Sequence, residues 1–353
     1  MIERIGGHEG LDVTRENGVI VKRGHNLENK HKTQFIDNIA ALQNEERMLK
    51  VMTGSGFTPE VVTDTVVADG IATLVQTDIG VTEPMQDGEA FRRNCIHLLH
   101  EIRARGVRHG DLTGVNIVIR NNWPWAVDWQ EGHMITEEAP QKQPYSDAYL
   151  LWRTVSGTLG LNGQFDTPRV ARRWLAVLGS LGGCRWTAET RKLPLAGLRL
   201  FDLGCFQGDF VAAAHVEGME AVGVDSGGFR PGENSIAAAR ELWPWIPPER
   251  FIRGNIMDVE KFNCDAVLLF STWSYIVQDF KRRTAENLLG KILSECGVLF
   301  FENQLWGDGP GPNFFINEDD IQQLLESYGR PVEKLISIPV WGRPNSRTVW
   351  RVG

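Results

Sequence analysis

Val107-Arg-His-Gly-Asp-Leu-Thr-Gly-Val-Asn-Ile-Val-Ile-Arg120, followed by Trp125-Ala-Val-Asp-Trp129, decides how the first half of the chain is read. It places a histidine at 109, an aspartate at 111, an asparagine five residues later at 116 and a second aspartate at 128, with apolar strand-like runs between them. That set would suit phosphoryl transfer to an alcohol. Asp111 would accept the hydroxyl proton, while Asn116 and Asp128 converge on a metal ion that bridges nucleotide phosphates. The bland alternative is a turn rich in Asp and Asn between two buried strands, where Gly, Asn and Asp are expected anyway.

The stretch resembles the aminoglycoside- and lipopolysaccharide-kinase branch of the protein-kinase-like superfamily. That branch writes His-Gly-Asp and Asp-Trp where His109-Gly110-Asp111 and Asp128-Trp129 stand. The resemblance implies ATP and Mg2+, with Asp111 and His109 in the catalytic loop and Asn116 and Asp128 on the metal. It also implies a lysine at the end of an early apolar strand, paired with a glutamate on the next helix. Gly18-Val-Ile-Val-Lys-Arg23 supplies Lys22, and Asn44-Glu-Glu-Arg-Met-Leu49 supplies Glu45, with Glu46 as the alternative.

Working outward, residues 1 to 22 read as two or three short strands broken by Gly6, Gly7 and Gly10. Phe35, Ile39, Leu42 and Leu49 recur at helical spacing. Thr73 to Ile79 reads as a strand. Phe91, Cys95, Leu98, Leu99 and Ile102 mark a helix that stops at Arg105-Gly106 and delivers the loop. Tyr145 to Leu151 and Arg169 to Leu178 look helical, which leaves a reduced large lobe. Leu181 to Pro194 mixes Gly, Thr and charges without periodicity and reads as a linker.

Beyond it, Leu198-Arg-Leu-Phe-Asp-Leu-Gly-Cys-Phe-Gln-Gly-Asp-Phe-Val211 is a strand, a glycine turn and a helix start, and Ala221-Val-Gly-Val-Asp225 is a second strand ending in an acid. An acid there can hold a ribose diol while glycine lets backbone approach a cofactor. Asp202-x-Gly204-x-x-x-Gly208, Asp225, the turn Gly254-Asn-Ile-Met-Asp258 and the strand Asp265 to Phe270 resemble class I S-adenosylmethionine-dependent methyltransferases. A nicotinamide-binding fold is the structural rival. The resemblance implies cofactor contacts at Asp202, Gly204, Gly208, Asp225, Asn255, Ile256, Asp258 and Phe270; Asp258 also reads as a helix N-cap. A helix from Phe280 to Glu295, a strand at Val298 to Phe301, a helix capped at Asn317 and two final strands complete that family's seven-stranded plan.

The expected fold class is therefore two-domain: a reduced, bilobal α+β protein-kinase-like domain over 1–185, then an α/β Rossmann-like class I methyltransferase domain over 193–353. A chain of 353 residues suits two cores. Its net charge of −8 argues against wholesale nucleic-acid binding. No apolar run approaches a membrane span, and the first residues lack a signal-peptide core, so a cytoplasmic protein is expected. Five scattered cysteines suggest neither a disulfide framework nor a zinc site.

On the acceptor side, Ser271-Thr-Trp-Ser-Tyr275 is not the Asn-Pro-Pro-Tyr type associated with base amines, and it holds no histidine to deprotonate an alcohol. A phosphate monoester, mostly dianionic near neutrality, needs no such base. Arg343 and Arg347 would clamp it, or else form a solvated basic hairpin. The combination resembles the bifunctional chain terminators of bacterial O-antigen polysaccharides, which phosphorylate a terminal sugar and methylate that phosphate. In those enzymes the methyltransferase comes first and a coiled-coil tail follows. The expected acceptor is a glycan or another hydroxyl-bearing small molecule. The alternatives are a tailoring or resistance enzyme, or a methyltransferase whose kinase-like half is a binding or regulatory module.

Overall fold

Strand alternation and helix caps account for most of the first half. A computed structural model describes residues 2–8, 10–28, 35–136, 145–158, 167–183, 195–227, 234–305, 315, 317–339 and 346–353. β1 (Ile2–His8), β2 (Leu11–Glu16) and β3 (Val19–His25) form an antiparallel meander, with Gly6, Gly7 and Gly10 at the first hairpin. After the two-residue pair β4 (Leu27–Glu28) and β5 (Phe35–Ile36) comes α1 (Asn38–Met52). Phe35 was expected on the helix face but belongs to β5; Asp37 accepts the Ala40 N–H and starts the helix behind it.

β6 (Val61–Ala68) and β7 (Ile71–Thr77) complete a five-stranded sheet in the order β1-β2-β3-β7-β6. β3 lies at its centre, which buries Lys22 beside Ile20 and Val21. α1 packs on this sheet through Leu42, Met48, Leu49 and Met52. α2 (Gly88–Ala104), capped by Asp87, buries Phe91, Cys95, Leu98, Leu99 and Ile102 on one face. β8 (Val107–Arg108) pairs with β11 (His133–Met134), and β9 (Ile117–Arg120) with β10 (Trp123–Ala126). These two small ladders hold the loops between them, and α3 (Asp147–Thr158) follows.

The chain divides into two compact units, one of residues 1–161, 165–167 and 185–191, the other of 162–164, 168–184 and 192–353. α4 (Thr167–Ser180), expected in the first domain, therefore clusters from Pro168 onward with the second. Packing explains the shift: Trp174 lies 6.0 Å from the Phe210 ring, and Leu195 packs under Gly183.

The second unit continues with β12 (Arg199–Leu203), α5 (Asp209–Val216), β13 (Glu220–Asp225), α6 (Ser235–Leu242), β14 (Phe251–Arg253), β15 (Cys264–Phe270), α7 (Trp273–Phe280), α8 (Arg282–Glu295), β16 (Cys296–Glu302), α9 (Glu318–Glu326), β17 (Val332–Pro339) and β18 (Ser346–Val352). Its sheet runs β14-β13-β12-β15-β16-β18-β17. β12 to β16 pair in parallel and β18 alone pairs antiparallel with both its neighbours. This seven-stranded order is the one expected from the sequence. Cofactor-binding ends of a parallel sheet are the carboxyl ends of its strands, beside the reversal of strand order at β12.

The helix expected from Phe280 to Glu295 is α8, which begins at Arg282 because Lys281, with a left-handed φ of 68°, separates it from α7. Asn317 and Asp320 form a reciprocal capping box on α9. Cys95, Cys205, Cys264 and Cys296 are unpaired thiols. Among the described residues no helix is long and apolar enough to cross a membrane.

Candidate active sites

In the first unit β3, α1 and the segment after β10 bring three expected residues to one point. Lys22 Nζ donates to both oxygens of Glu45, at 2.7 and 2.9 Å, and to Asp128 Oδ1 at 3.0 Å. Burial works against both charges of the inner pair. At Lys22 the fields of Glu45 and Asp128 outweigh it, and the pKa is raised. At Glu45 burial prevails and pushes the carboxyl up, with Lys22 opposing and Asp128 adding to it. Glu46 is not the partner: it bonds Lys50 and accepts the Thr65 N–H.

Asp128 holds a left-handed backbone, φ 63°, and keeps 43% of its side chain exposed beside the almost wholly buried Lys22. A non-glycine residue in that region carries strain, and such strain gathers at functional positions. Asn116 Nδ2 donates to the Asp111 carbonyl at 2.9 Å and to its Oδ2 at 3.0 Å, which fixes the carboxylate relative to the loop. His109 is fully buried. Its Nε2 lies 2.9 Å from the Val127 carbonyl and its Nδ1 accepts the Asp111 N–H, so the ring is neutral with its proton on Nε2. Burial lowers its pKa, against the pull of Asp147. Its ring braces the loop from behind.

Asp147, which the sequence did not single out, opens α3 and accepts the N–H groups of His109 (2.9 Å) and Gly110 (3.0 Å). Gly110 has φ 81°, and a Cβ there would lie 2.5 Å from the Glu131 carbonyl oxygen. That contact is why glycine stands between the histidine and the aspartate. Among the described residues no group of three or more His, Cys, Asp or Glu stands ready to hold a metal without other ligands.

In the second unit Gly204 follows β12 with φ 81°, and a Cβ there would collide with Thr272 Oγ1. Gly208 precedes the first residue of α5. Asp225 Oδ2 accepts the Phe206 N–H at 3.0 Å, and Oδ1 accepts Gly227 N–H at 2.8 Å and Ser235 Oγ–H at 3.0 Å. The acid is thus locked in orientation at the end of β13. Asn255 accepts the Met257 N–H and caps the 3-10 turn Ile256–Asp258, so Asp258 is the last residue of that turn and not its cap. Phe270 is buried against Phe210 and beneath the Arg173 guanidinium.

Asp202 is 3% exposed, and its Oδ2 is buried without a hydrogen-bond partner among the described residues. Burial, with Asp225 and Asp209 nearby, pushes its carboxyl up to about 8. A carboxyl raised on folding binds more protons in the folded than in the unfolded chain between the ordinary acid range and about 8. Its contribution therefore falls as pH rises through that window. Asp202→Asn, which cannot ionise, is expected to gain on the native chain by a few kcal/mol between about pH 5 and about pH 8.5, as urea titrations would show. Parallel stability curves for the two proteins would mean that Asp202 does not titrate there.

Arg343 lies outside the described residues. Arg347 is not on a solvated hairpin: it sits in β18, 5% exposed, with Nη1 3.1 Å from Ser271 Oγ and Nε 3.7 Å from Glu302 Oε1. Arg173 of α4 joins the same cluster, donating to Glu302 Oε2 at 2.6 Å. Burial alone would raise the Glu302 carboxyl, but Arg173, Arg347 and Arg169 outweigh it and hold it below the ordinary range.

No protein-family model matches the chain, and no curated protein does. Among solved structures, the bifunctional kinase-methyltransferase WbdD is similar at 20% identity, over 54% of this chain and 40% of that one, with a TM-score of 0.40. The mitomycin 7-O-methyltransferase MmcR is similar at 15% identity, over 54% and 58%, TM-score 0.32. A putative RNA methyltransferase from Pyrococcus horikoshii is similar at 16% identity, over 57% and 95%, TM-score 0.36. The chain thus matches less than half of the length of WbdD.

Proposed function

We propose that the chain is a bifunctional transferase that phosphorylates a hydroxyl of a glycan or sugar with Mg-ATP and then methylates that phosphate with S-adenosylmethionine. The observation that carries the first activity is the convergence of Lys22, Glu45 and Asp128, from three separate elements, beside an Asp111 held by Asn116. Two carboxylates share one ammonium there, and Asp128 keeps 43% of its side chain exposed. Magnesium is bound in such sites through one or two protein oxygens plus phosphates, which suits Asp128 and Asn116 without a third acid. The metal would neutralise phosphate charge. Lys22 would hold the phosphates, and Asp111 would orient the acceptor hydroxyl and take its proton.

For the second activity, Gly204 leaves room at the end of β12, and Asp225 is oriented to accept from a ribose diol. The unpartnered Asp202 oxygen suits a ligand that brings a cationic amino group. Replacing Asp225 by Ala removes a charged acceptor worth about 1.5 to 3 kcal/mol, so S-adenosylmethionine affinity should fall roughly ten- to hundredfold in calorimetry. Unchanged affinity would remove Asp225 from the site. The whole reading is tested by mass spectrometry of candidate sugars and glycans incubated with the chain, ATP, magnesium and methyl donor. Products gaining phosphate, and phosphate plus methyl, are expected; methyl alone would leave the first unit as a non-catalytic module.

A further inference from the structure

Gln76, the penultimate residue of β7, is 3% exposed, and its Oε1 is buried with no donor among the described residues. The ladder register shows which way it faces. Gln76 pairs with Ile20 and Leu74 with Lys22, with no irregularity between β3 and β7. Directly opposed residues point to the same side of a sheet, and alternate residues of a strand share a face. Gln76, Ile20 and Lys22 therefore lie on one face, and β7 is buried on it at Ala72, Leu74 and Gln76 while Thr73 and Val75 on the other face are only half-buried. Gln76 stands one two-residue step from the level of Lys22, about 7 Å along the strand. In the opposite direction α1 fills the face, because a Cβ on Gly24 would lie 3.0 Å from Asn38 Cβ and 3.2 Å from a Leu42 methyl.

Polar groups next to Gln76 in the chain are engaged within the protein. Thr77 donates its N–H to the Glu60 carbonyl at 2.9 Å, and its Oγ1 accepts the Glu60 N–H at 2.9 Å. Asp78 accepts Arg15 Nε at 2.5 Å and the Gly80 N–H at 2.7 Å. The Ile79 carbonyl accepts Arg120 Nη1 at 2.6 Å, and Arg120 Nε bonds Glu83 at 2.7 Å. These bonds tether the segment after β7 on two sides, to β2 through Arg15 and to β9 through Arg120, and so fix the wall in which Gln76 is set. A buried acceptor with no donor is costly to fold, and such an orphan calls for a partner that arrives from outside.

We infer that the Gln76 amide reads the base of the phosphoryl donor and restricts it to adenine. This rests on the phosphorylation reading above and adds the residue that selects the nucleotide. With Lys22 on the phosphates, the base lies a ribose away along the same face, and α1 closes the direction of Gly24, which leaves the direction of Gln76. An amide side chain matches the 6-amino and N7 edge of adenine with two bonds: Oε1 accepts from the amine and Nε2 donates to N7. Guanine offers two acceptors there, O6 and N7. Whichever way the amide turns, Oε1 then faces an acceptor and stays without a donor, the condition that burial penalises. Ile20, 7% exposed and directly across the ladder, supplies apolar surface for the ring.

The test is calorimetry of the full chain in magnesium, without acceptor, with ATP, GTP, 7-deaza-ATP, which lacks the N7 acceptor, and purine riboside triphosphate, which lacks the amine. ATP is expected to bind roughly five- to a hundredfold more tightly than GTP, and the other two to be weaker than ATP by roughly fivefold or more. Gln76→Leu, close in size and without the amide, should bring ATP, GTP and 7-deaza-ATP within about threefold of one another, chiefly by weakening ATP. GTP or 7-deaza-ATP binding the native chain as tightly as ATP overturns the proposal, and so does a preference for ATP over 7-deaza-ATP that survives in Gln76→Leu. The analogue series is read on the native chain, so it decides the matter even where the variant folds poorly. Phosphoryl transfer that uses ATP, GTP and 7-deaza-ATP equally would discard the role of Gln76 and keep the kinase reading. Adenine-selective binding that follows Gln76, in a chain that never phosphorylates an acceptor, would do the reverse. Absence of binding by all four would end both.

Discussion

Asp128→Ala is expected to lower ATP-dependent phosphoryl transfer by roughly a thousandfold or more, and to weaken nucleotide binding in magnesium. The size follows from what the side chain does. Among the described residues it shares Lys22 Nζ with Glu45, at 3.0 Å, and it keeps 43% of its side chain exposed. Such transfer gains little from covalent help, so nearly all of the acceleration lies in positioning and charge neutralisation. The variant keeps the Lys22–Glu45 bonds, so a melting curve close to native should accompany the loss. Asp111→Asn provides the contrast. It should leave nucleotide affinity nearly intact while reducing the rate, because Asp111 is held by Asn116 on the loop and Lys22 by Glu45 and Asp128. Retained transfer in both variants would end the kinase assignment.

The second large effect is all-or-none. Methyl transfer by the intact chain should require ATP, vanish in Asp111→Asn, and return when an already phosphorylated acceptor is supplied. An alcohol attacking a methyl sulfonium must shed a proton of very high pKa. Ser271 to Tyr275 offers no histidine for that, and the nearby Glu302 is held acidic by arginines. A phosphate dianion carries no such proton. Its second pKa lies near ~6, so methyl transfer should decline as pH drops below that value. Labelled methyl reaching an unphosphorylated acceptor equally fast without ATP would show the two units to be independent enzymes or one enzyme with a passive companion.

Local spacing was what the sequence displayed best. Asp111, Asn116 and Asp128, and likewise Asp202, Gly204 and Asp225, lie within short strand-turn units, where chain geometry alone limits where a side chain can go. Lys22 and Glu45 were legible only through their order ahead of the loop, and the choice of Glu45 over Glu46 is settled by which face of α1 meets β3. Contacts through space were not legible. Asp147 reaches His109 across 38 residues, and Arg173 reaches Glu302 across 129. Nothing in Ala171-Arg-Arg-Trp174 announces that one of its arginines turns inward beneath a sheet that has not yet begun. Arg347 could be read as part of a basic hairpin, but β18 begins one residue ahead of it and turns it into the interior.

The sheet order β14-β13-β12-β15-β16-β18-β17 also governs how the second unit is made. β18, the latest strand in the sequence, is inserted between β16 and β17 instead of being added at an edge. As a chain emerges from the ribosome, α4 and its Arg173 appear long before Glu302, and Arg347 appears later still. Until Glu302 is made Arg173 lacks that carboxylate, and until β18 is made β16 presents an unpaired edge. Pairings between strands far apart in the chain, such as β16 with β18, close slowly, after their loop entropy has been met. The charge cluster beneath Ser271 is therefore assembled only once β18 has been made, and until then the open edge of β16 is exposed to solvent and to chaperones.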